Sequence, residues 1–156
     1  MHSDNSAMLI RFSVVAVLAA LPWALVAQSS APVIPRLQVQ PDQLTWNAGN
    51  GGISTAMVVG DPTKPGIYVQ RLRFAKGTRI APHLHPDERV AVVLSGSMYF
   101  GYGETFDEAA LVHMVPGSTW TEPPKTAHFA WAKDEDVIIQ VTGLGPSGSQ
   151  PAKPQP

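Results

Sequence analysis

The stretch GTRIAPHLHPDERVAVVLSG, from Gly77 to Gly96, places two histidines one residue apart before an apolar, β-branched run. Residues i and i+2 of a β-strand face the same side of a sheet, so the imidazoles of His83 and His85 can converge on one ion. Neutral imidazoles bind Zn, Fe, Mn, Ni or Cu, and the ligand type alone does not select the metal. Two polar residues on a solvent-facing strand are the alternative interpretation, so a further ligand is needed.

A third histidine, His128, lies in a different predicted strand, AHFAW, at residues 127–131. Three imidazoles would form a facial set and leave positions open for water or substrate. The sequence therefore predicts a metal site at His83, His85 and His128. We expect His113, which lies in another short segment, to be a strand or loop residue without chemistry.

Short segments separated by turn residues make up most of the chain. The 156 residues include 15 prolines and 13 glycines, which favours short strands over a helical bundle. The segment IYVQRLRF, residues 67–74, alternates with period two, as a strand does. RVAVVLSG, which ends at Gly96, and SMYFGYG, which follows it, are predicted to form a tight hairpin. These segments predict an all-β sandwich or barrel.

Length and charge limit the classes of function. The length fits one domain with a single core, and 44% of the residues are hydrophobic. Nucleic-acid binding usually needs a basic face, and a formal net charge of −1 gives no argument for one, so we expect no nucleic-acid partner. The sequence contains no cysteine, which excludes disulfides and a lipoprotein attachment.

The N-terminal segment has the layout of a secretory signal peptide, to which we assign residues 1–29. Arg11 precedes an uncharged apolar run, residues 12–27, at the end of which lies a small-x-small cleavage pattern. The run is short for a membrane span and contains Pro22, so we expect no stable span after cleavage. An uncleaved anchor is the alternative. The signal predicts a periplasmic or secreted protein.

Three segments follow the predicted signal. Residues 30–48 are polar and proline-rich, and we predict an extended arm that lies against the domain or a partner subunit. Residues 49–146 contain the predicted strands and form the barrel domain. The tail, residues 147–156, lacks core-forming residues and is predicted to be disordered.

The two histidine segments resemble the motifs of a single-domain cupin. The first cupin motif is Gly, five residues, His-x-His, three or four residues, Glu, six residues, Gly. The second is Gly, five residues, Pro-x-Gly, two residues, His, three residues, Asn. The resemblance implies a cupin-type double-stranded β-helix, or jelly-roll barrel, over roughly residues 65–146, preceded by the extended arm. The matching positions are Gly77, His83, His85 and Gly96 in the first motif and Gly117, Pro123 and His128 in the second.

Three positions depart from the motifs. Arg89 occupies the glutamate position, Lys125 the glycine position and Ala132 the asparagine position. The resemblance therefore implies only the three histidines of the family's three-His-one-Glu site, and not its glutamate. A bulge before the strand would bring Glu88 into the site; on a regular strand Glu88 faces away and Arg89 points inward.

An inward arginine cannot bind a metal, because it stays protonated and has no lone pair to give. Three interpretations remain open for Arg89. It holds an anionic ligand beside a three-His metal, for which its planar fork is suited. It forms a structural salt bridge while the histidines still bind metal. Or the metal site is degenerate and the barrel is a metal-free pocket.

Three further residues are candidates for the site. Glu122 is the candidate for proton transfer, with a histidine-orienting partner or a surface residue as alternatives. Trp120 shares its strand face and would form a wall of a substrate pocket. Gln140 lies in the apolar segment VIIQV, where a buried amide would bond to ligand or backbone.

Together with the resemblance, these residues predict an exported cupin that binds Fe, Mn, Zn or Ni and acts on a small anionic organic molecule. Oxygenases, isomerases, lyases and decarboxylases share this architecture, and the fold does not choose among them. The alternative is a non-catalytic binding or sensing barrel, with or without metal. We also expect a homodimer, in which the arm, residues 30–42, adds a strand to the neighbouring subunit.

Overall fold

The protein is described by a computed structural model over residues 34–152, and the predicted signal peptide lies outside this range. The predicted all-β fold is confirmed, since the elements of this range are strands and two short 3₁₀ helices. No helix within residues 34–152 is long and apolar enough to cross a membrane. The 3₁₀ helices are Pro41–Gln43 and Glu108–Ala110, and the strands are β1 (Asn47–Ala48), β2 (Ile53–Val59), β3 (Gly66–Phe74), β4 (Arg79–Leu84), β5 (Arg89–Ser95), β6 (Met98–Tyr102), β7 (Val112–Met114), β8 (Thr119–Glu122), β9 (His128–Trp131), β10 (Val137–Gly145) and β11 (Gln150–Pro151).

The strands form two antiparallel sheets that enclose one core. Their order is β1-β2-β3-β10-β5-β8 in the six-stranded sheet and β11-β4-β9-β6-β7 in the five-stranded sheet. In β10, Val137, Ile139 and Val141 are buried and alternate with more exposed residues, so one face of the strand packs into the core. Tyr68 from the first sheet and Phe100 from the second belong to the same buried cluster. This is the jelly-roll arrangement that the cupin resemblance implies.

The hairpin predicted for the segments on either side of Gly96 is wrong. β5 pairs with β10 and β8, whereas β6 pairs with β7 and β9 in the other sheet. Gly96 has a positive φ of 69°, and a Cβ at this position would collide with the backbone carbonyl of Asp136. Glycine is therefore required here by both conformation and space. The turn is where expected, but it carries the chain from one sheet to the other.

Residues 147–152, which we call the C-terminal strap, are ordered against the barrel, in contrast to the predicted disordered tail. β11 lies in this strap and pairs with the end of β4, opposite Leu84 and His83. The Ala152 N–H also donates to the carbonyl of Pro82 at 3.0 Å. Main-chain hydrogen bonds hold the strap, so its lack of apolar side chains did not reveal this position. The rest of the predicted tail lies outside the described residues.

Candidate metal centre

The three predicted histidines come together at one end of the five-stranded sheet. His83 and His85 lie at the end of β4 and just after it, and His128 begins β9 directly opposite His83 in the strand register. Their ring centroids are 4.4–5.1 Å apart. One ligand nitrogen from each ring lies within 4.8 Å of the other two. His113 is not part of this group and stacks on Tyr99 instead.

Hydrogen bonds from the backbone set the orientation of each imidazole. Nδ1 lies 2.9 Å from Ala81 O in His83, 2.5 Å from Gly148 O in His85 and 3.0 Å from Thr126 O in His128. A carbonyl only accepts, so each Nδ1 carries the proton and each Nε2 has the lone pair. This is how metal-binding histidines are normally held.

Burial keeps two of these rings neutral. It lowers the pKa of His83, with a further contribution from the charge of His128. Burial also lowers the pKa of His85 to about 4, and the nearby charge of Arg89 acts in the same direction. Because only the neutral ring offers a lone pair to a metal, both histidines are ready to act as ligands near neutral pH.

Glu122 supplies a buried carboxylate next to the histidines. Its Oε1 accepts a hydrogen bond from Trp120 Nε1 at 3.0 Å. Its Oε2 lies 3.7 Å from His85 Nε2 and 3.6 Å from His128 Nε2. Imidazole lone pairs and a carboxylate oxygen at this spacing are stabilised by a nearby positive charge, part of which Arg89 supplies through Nη1, 3.7 Å from Oε2. The donor set of the described residues therefore fits a divalent transition metal.

Arg89 points into the site, and its side chain is only 9% exposed. Its Nε donates to Asp87 Oδ2 at 3.3 Å and its Nη2 donates to Ser147 Oγ at 2.5 Å. Its Nη1 lies 3.2 Å from His85 Nε2, within donating distance. Glu88 is exposed, so the alternative in which a bulge brings Glu88 inward does not apply. The salt bridge and the inward orientation considered for this arginine both occur in the structure.

The sequence interpretation missed two side chains that support Arg89. Tyr68 donates from its hydroxyl to Asp87 Oδ2 at 2.7 Å. Burial of Asp87 acts to raise its pKa, but hydrogen bonds from Tyr68 and Ser147 and the charge of Arg89 outweigh this effect and lower it. Asp87 is therefore a fixed anionic partner for Arg89. Ser147 lies in a segment whose composition indicated disorder, and we find no sequence signal for its role.

The histidines form part of the lining of a cavity of about 360 Å³ inside the barrel. Arg89, Glu122 and Trp120 also line it, and the Trp120 ring packs against Phe100 with centroids 4.8 Å apart. These three candidate residues therefore lie together with the histidines.

Gln140 does not reach the cavity, in contrast to its predicted role in substrate binding. It lies on the opposite face of β10 from Ile139 and Val141, which do line the cavity. Its Oε1 accepts a hydrogen bond from Arg71 Nε at 3.3 Å. The amide is satisfied by a protein partner on that side, as a partly buried amide requires.

Lys125 takes the backbone conformation that explains the glycine of the second cupin motif. Its φ is +59°, in the left-handed region where glycine is normally found. Its N–H donates to the carbonyl of His85 at 2.7 Å. This bond joins the loop before His128 to the backbone of the histidine pair, so the turn is retained although the glycine is not.

Comparison with known sequences identifies the family. The ChrR cupin-like domain matches residues 35–147, which is most of the chain. The chain belongs to the ChrR cupin-like domain family. The resemblance to single-domain cupins is thus confirmed. No curated protein sequence matches the chain at a significant level.

Solved structures share the cupin fold with this ChrR-like cupin at low sequence identity. An RmlC-like cupin from Shewanella frigidimarina is 17% identical, with a TM-score of 0.58 over 71% of this chain and 92% of the other. The polyketide cyclase RemF from Streptomyces resistomycificus is 14% identical, with a TM-score of 0.63 over 78% and 88%. An oxalate oxidase in complex with the substrate analogue glycolate is 17% identical, with a TM-score of 0.54 over 74% and 62%. At these identities the likeness establishes the fold alone.

Proposed function

We propose that this cupin binds a divalent transition metal (Fe, Mn, Zn or Ni) through His83, His85 and His128, and acts on a small anionic organic molecule. The observation that carries the proposal is the convergence of three Nε2 lone pairs, each fixed by a carbonyl bonded to Nδ1 of the same ring. When bound, the metal would polarise a substrate oxygen as a Lewis acid or serve oxygen chemistry.

Arg89 is the proposed anion-binding residue. Asp87 and Ser147 fix two of its nitrogens, while Nη1 is directed toward His85 and Glu122. The charges of Arg89 and Asp87 cancel, and Glu122 contributes one negative charge. A divalent ion would leave the site with a net charge of about +1, which favours a ligand with one negative charge.

Glu122 is the proposed proton carrier. Trp120 holds Oε1, so Oε2 is the oxygen that faces the histidines and the cavity. A carboxylate held at this distance can take a proton from a bound molecule and return it at the same atom. Oxygenase, isomerase, lyase and decarboxylase chemistry are all compatible with such a site.

We place this function in the periplasm or outside the cell. The support is the signal-like segment at residues 1–29, with its single arginine, apolar run and cleavage pattern. Detection of a mature N-terminus near Ser30 by mass spectrometry tests this, and retention of residues 1–29 contradicts it.

One observation favours a second function, a metal-free binding or sensing barrel. Arg89 Nη1 lies 3.2 Å from His85 Nε2 and can use the lone pair that a metal would need. In this case Arg89 and the histidines would together bind an organic anion directly.

Elemental analysis separates the two functions. The mature chain and its variants are purified, reconstituted with Fe, Mn, Zn and Ni, and dialysed. We expect about one equivalent of metal in the wild type and in His113→Ala, and less than about a tenth in His83→Ala and His128→Ala. A wild type below about a tenth of an equivalent overturns the metal site and favours the second function. Bound metal without turnover of any carboxylic acid favours a binding protein.

A further inference from the structure

The cavity is polar at one end only. Its polar side chains are His83, His85, Arg89, Glu122, His128 and Ser149 of the C-terminal strap. The other described residues of the lining are apolar: aliphatic, aromatic or, in Met98, a thioether. They come from both sheets and include Leu72, Phe74, Phe100, Trp120, Ile139 and Val141.

The apolar part of the lining offers no described side-chain partner for a hydroxyl group. Trp120 is the residue there with a polar atom, and its indole N–H already donates to Glu122. The backbone N–H and C=O groups of β3 and β10 pair with one another within the sheet. A ligand hydroxyl placed against this wall would lose its bonds to water without replacement, at a cost of roughly tenfold in affinity for each one.

Three aliphatic residues of the lining, Ile53, Leu72 and Ile80, are only partly buried, whereas Phe74, Phe100, Trp120, Ile139 and Val141 are buried. Apolar side chains therefore line both the buried part of the cavity and a share of its more exposed part.

The volume sets the size of the occupant. A cavity of about 150 Å³ is enough to hold benzene. The 360 Å³ of this cavity gives room for one ring or branched chain together with the acidic group that Arg89 would hold.

We infer that the ligand of this site is a hydrophobic monoanion, a carboxylate or enolate that carries one aryl, cycloalkyl or branched alkyl body. Sugar acids and other polyhydroxylated acids are excluded as ligands. This inference rests on the proposed function for the position of the anionic group, whereas the apolar body follows from the cavity wall alone.

Two acids with the same ring test the inference. Cyclohexanecarboxylate and quinate both have a carboxylate on a six-membered carbon ring, but quinate carries four ring hydroxyls. Binding to the zinc-loaded and the metal-free mature chain is measured by calorimetry. We expect cyclohexanecarboxylate to bind at least about a hundredfold more tightly than quinate. Equal or tighter binding of quinate, or no binding of either acid at about 10 mM, overturns the inference.

A substitution in the apolar part of the lining tests whether this surface causes the preference for the hydrophobic acid. Leu72→Asn keeps the branched shape and the number of side-chain heavy atoms but makes the side chain polar, and it should weaken cyclohexanecarboxylate binding about tenfold without lowering the zinc content. Leu94→Asn is the matched control, because Leu94 is exposed and does not line the cavity. Should Leu72→Asn unfold, Leu72→Ala replaces it and should weaken the same acid through lost contact. Unchanged binding in the folded Leu72 variant overturns the inference.

The proposed metal site and the inferred hydrophobic ligand can be overturned independently of each other. Absence of Fe, Mn, Zn and Ni from the reconstituted wild type overturns the proposed function, while a preference of the metal-free chain for cyclohexanecarboxylate still supports the apolar body. Full zinc content with a preference for quinate overturns this inference and leaves the metal site intact.

Discussion

Arg89 places a positive charge directly beside the three histidines. Its guanidinium lies 3.2 Å from a histidine nitrogen that would serve as a ligand, and it stands at the glutamate position of the cupin motif. Its positive charge opposes a cation, and its N–H competes for the lone pair. The inward orientation depends on Asp87, Tyr68 and Ser147, which bind the guanidinium or its partner.

Replacing Arg89 by glutamate should tighten metal binding. Arg89→Glu removes the opposing charge and offers a carboxylate, so we expect the dissociation constant for Zn to fall by at least about tenfold in chelator competition. Arg73→Glu is the control, since it makes the same charge change at an exposed arginine that lies over Trp46. Unchanged affinity in a folded Arg89→Glu protein would show that Arg89 does not influence the site.

The C-terminal strap is the element that completes the site after the barrel has ended. Its Gly148 carbonyl accepts a hydrogen bond from Nδ1 of His85, and its Ser147 hydroxyl accepts one from Arg89. It is held by pairing of β11 with β4, the strand that also carries His83. The strap therefore determines the tautomer of one proposed ligand and the orientation of the arginine beside it.

Truncation of the C-terminal strap measures its contribution to metal binding. We expect deletion of residues 147–156 to weaken Zn binding by about tenfold or more, because His85 loses the partner that orients its ring. Deletion of residues 153–156 leaves the strap in place and should bind like the full chain. Equal affinities of the two truncated proteins, with both shown to be folded by circular dichroism, would contradict a role for the strap.

The sequence predicts an element or a site residue only where the residue types and their spacing carry a recognisable pattern. The spacing of His83, His85 and His128 in two motifs was sufficient to predict the group, because β4 and β9 pair in a register that the fold determines. Gln140 was misplaced because Ile138, on its own side of β10, is also apolar, so alternation does not show which face is inside. The strap could not be predicted, since the bonds that pair it with β4 are between backbone groups and leave no pattern in the side chains.

At the scale of the whole molecule, one edge of the six-stranded sheet is only partly covered. β1 pairs with Ser54 and Thr55 of β2, and the remainder of β2 lies at the edge among the described residues. Residues 34–40 of the arm have no regular secondary structure, and Ile34 and Leu37 are 52% and 49% exposed. An open strand edge and an extended apolar segment are the two parts needed for strand addition between subunits.

The homodimer stays a prediction that mass measurement can test. We expect light scattering to give twice the chain mass for the mature protein and the monomer mass after deletion of residues 30–42, because the arm would supply the added strand. A double variant, Ile34→Ser with Leu37→Ser, should weaken the dimer while keeping the chain length. A monomeric mature protein, or a dimer that survives the deletion, would rule out assembly through the arm.

Trp120 is also positioned to report on binding at the site through its intrinsic fluorescence. Its indole is buried and bonded to Glu122, whereas Trp46 and Trp131 lie against the side chains of Arg73 and Arg79. An ion or acid that binds the Glu122 carboxylate should change the hydrogen bond of this indole. The wavelength and quantum yield of its fluorescence should change as a result. Binding at the centre of the barrel can therefore be followed in unlabelled protein. The Trp120→Phe variant, which lacks this signal, is the control.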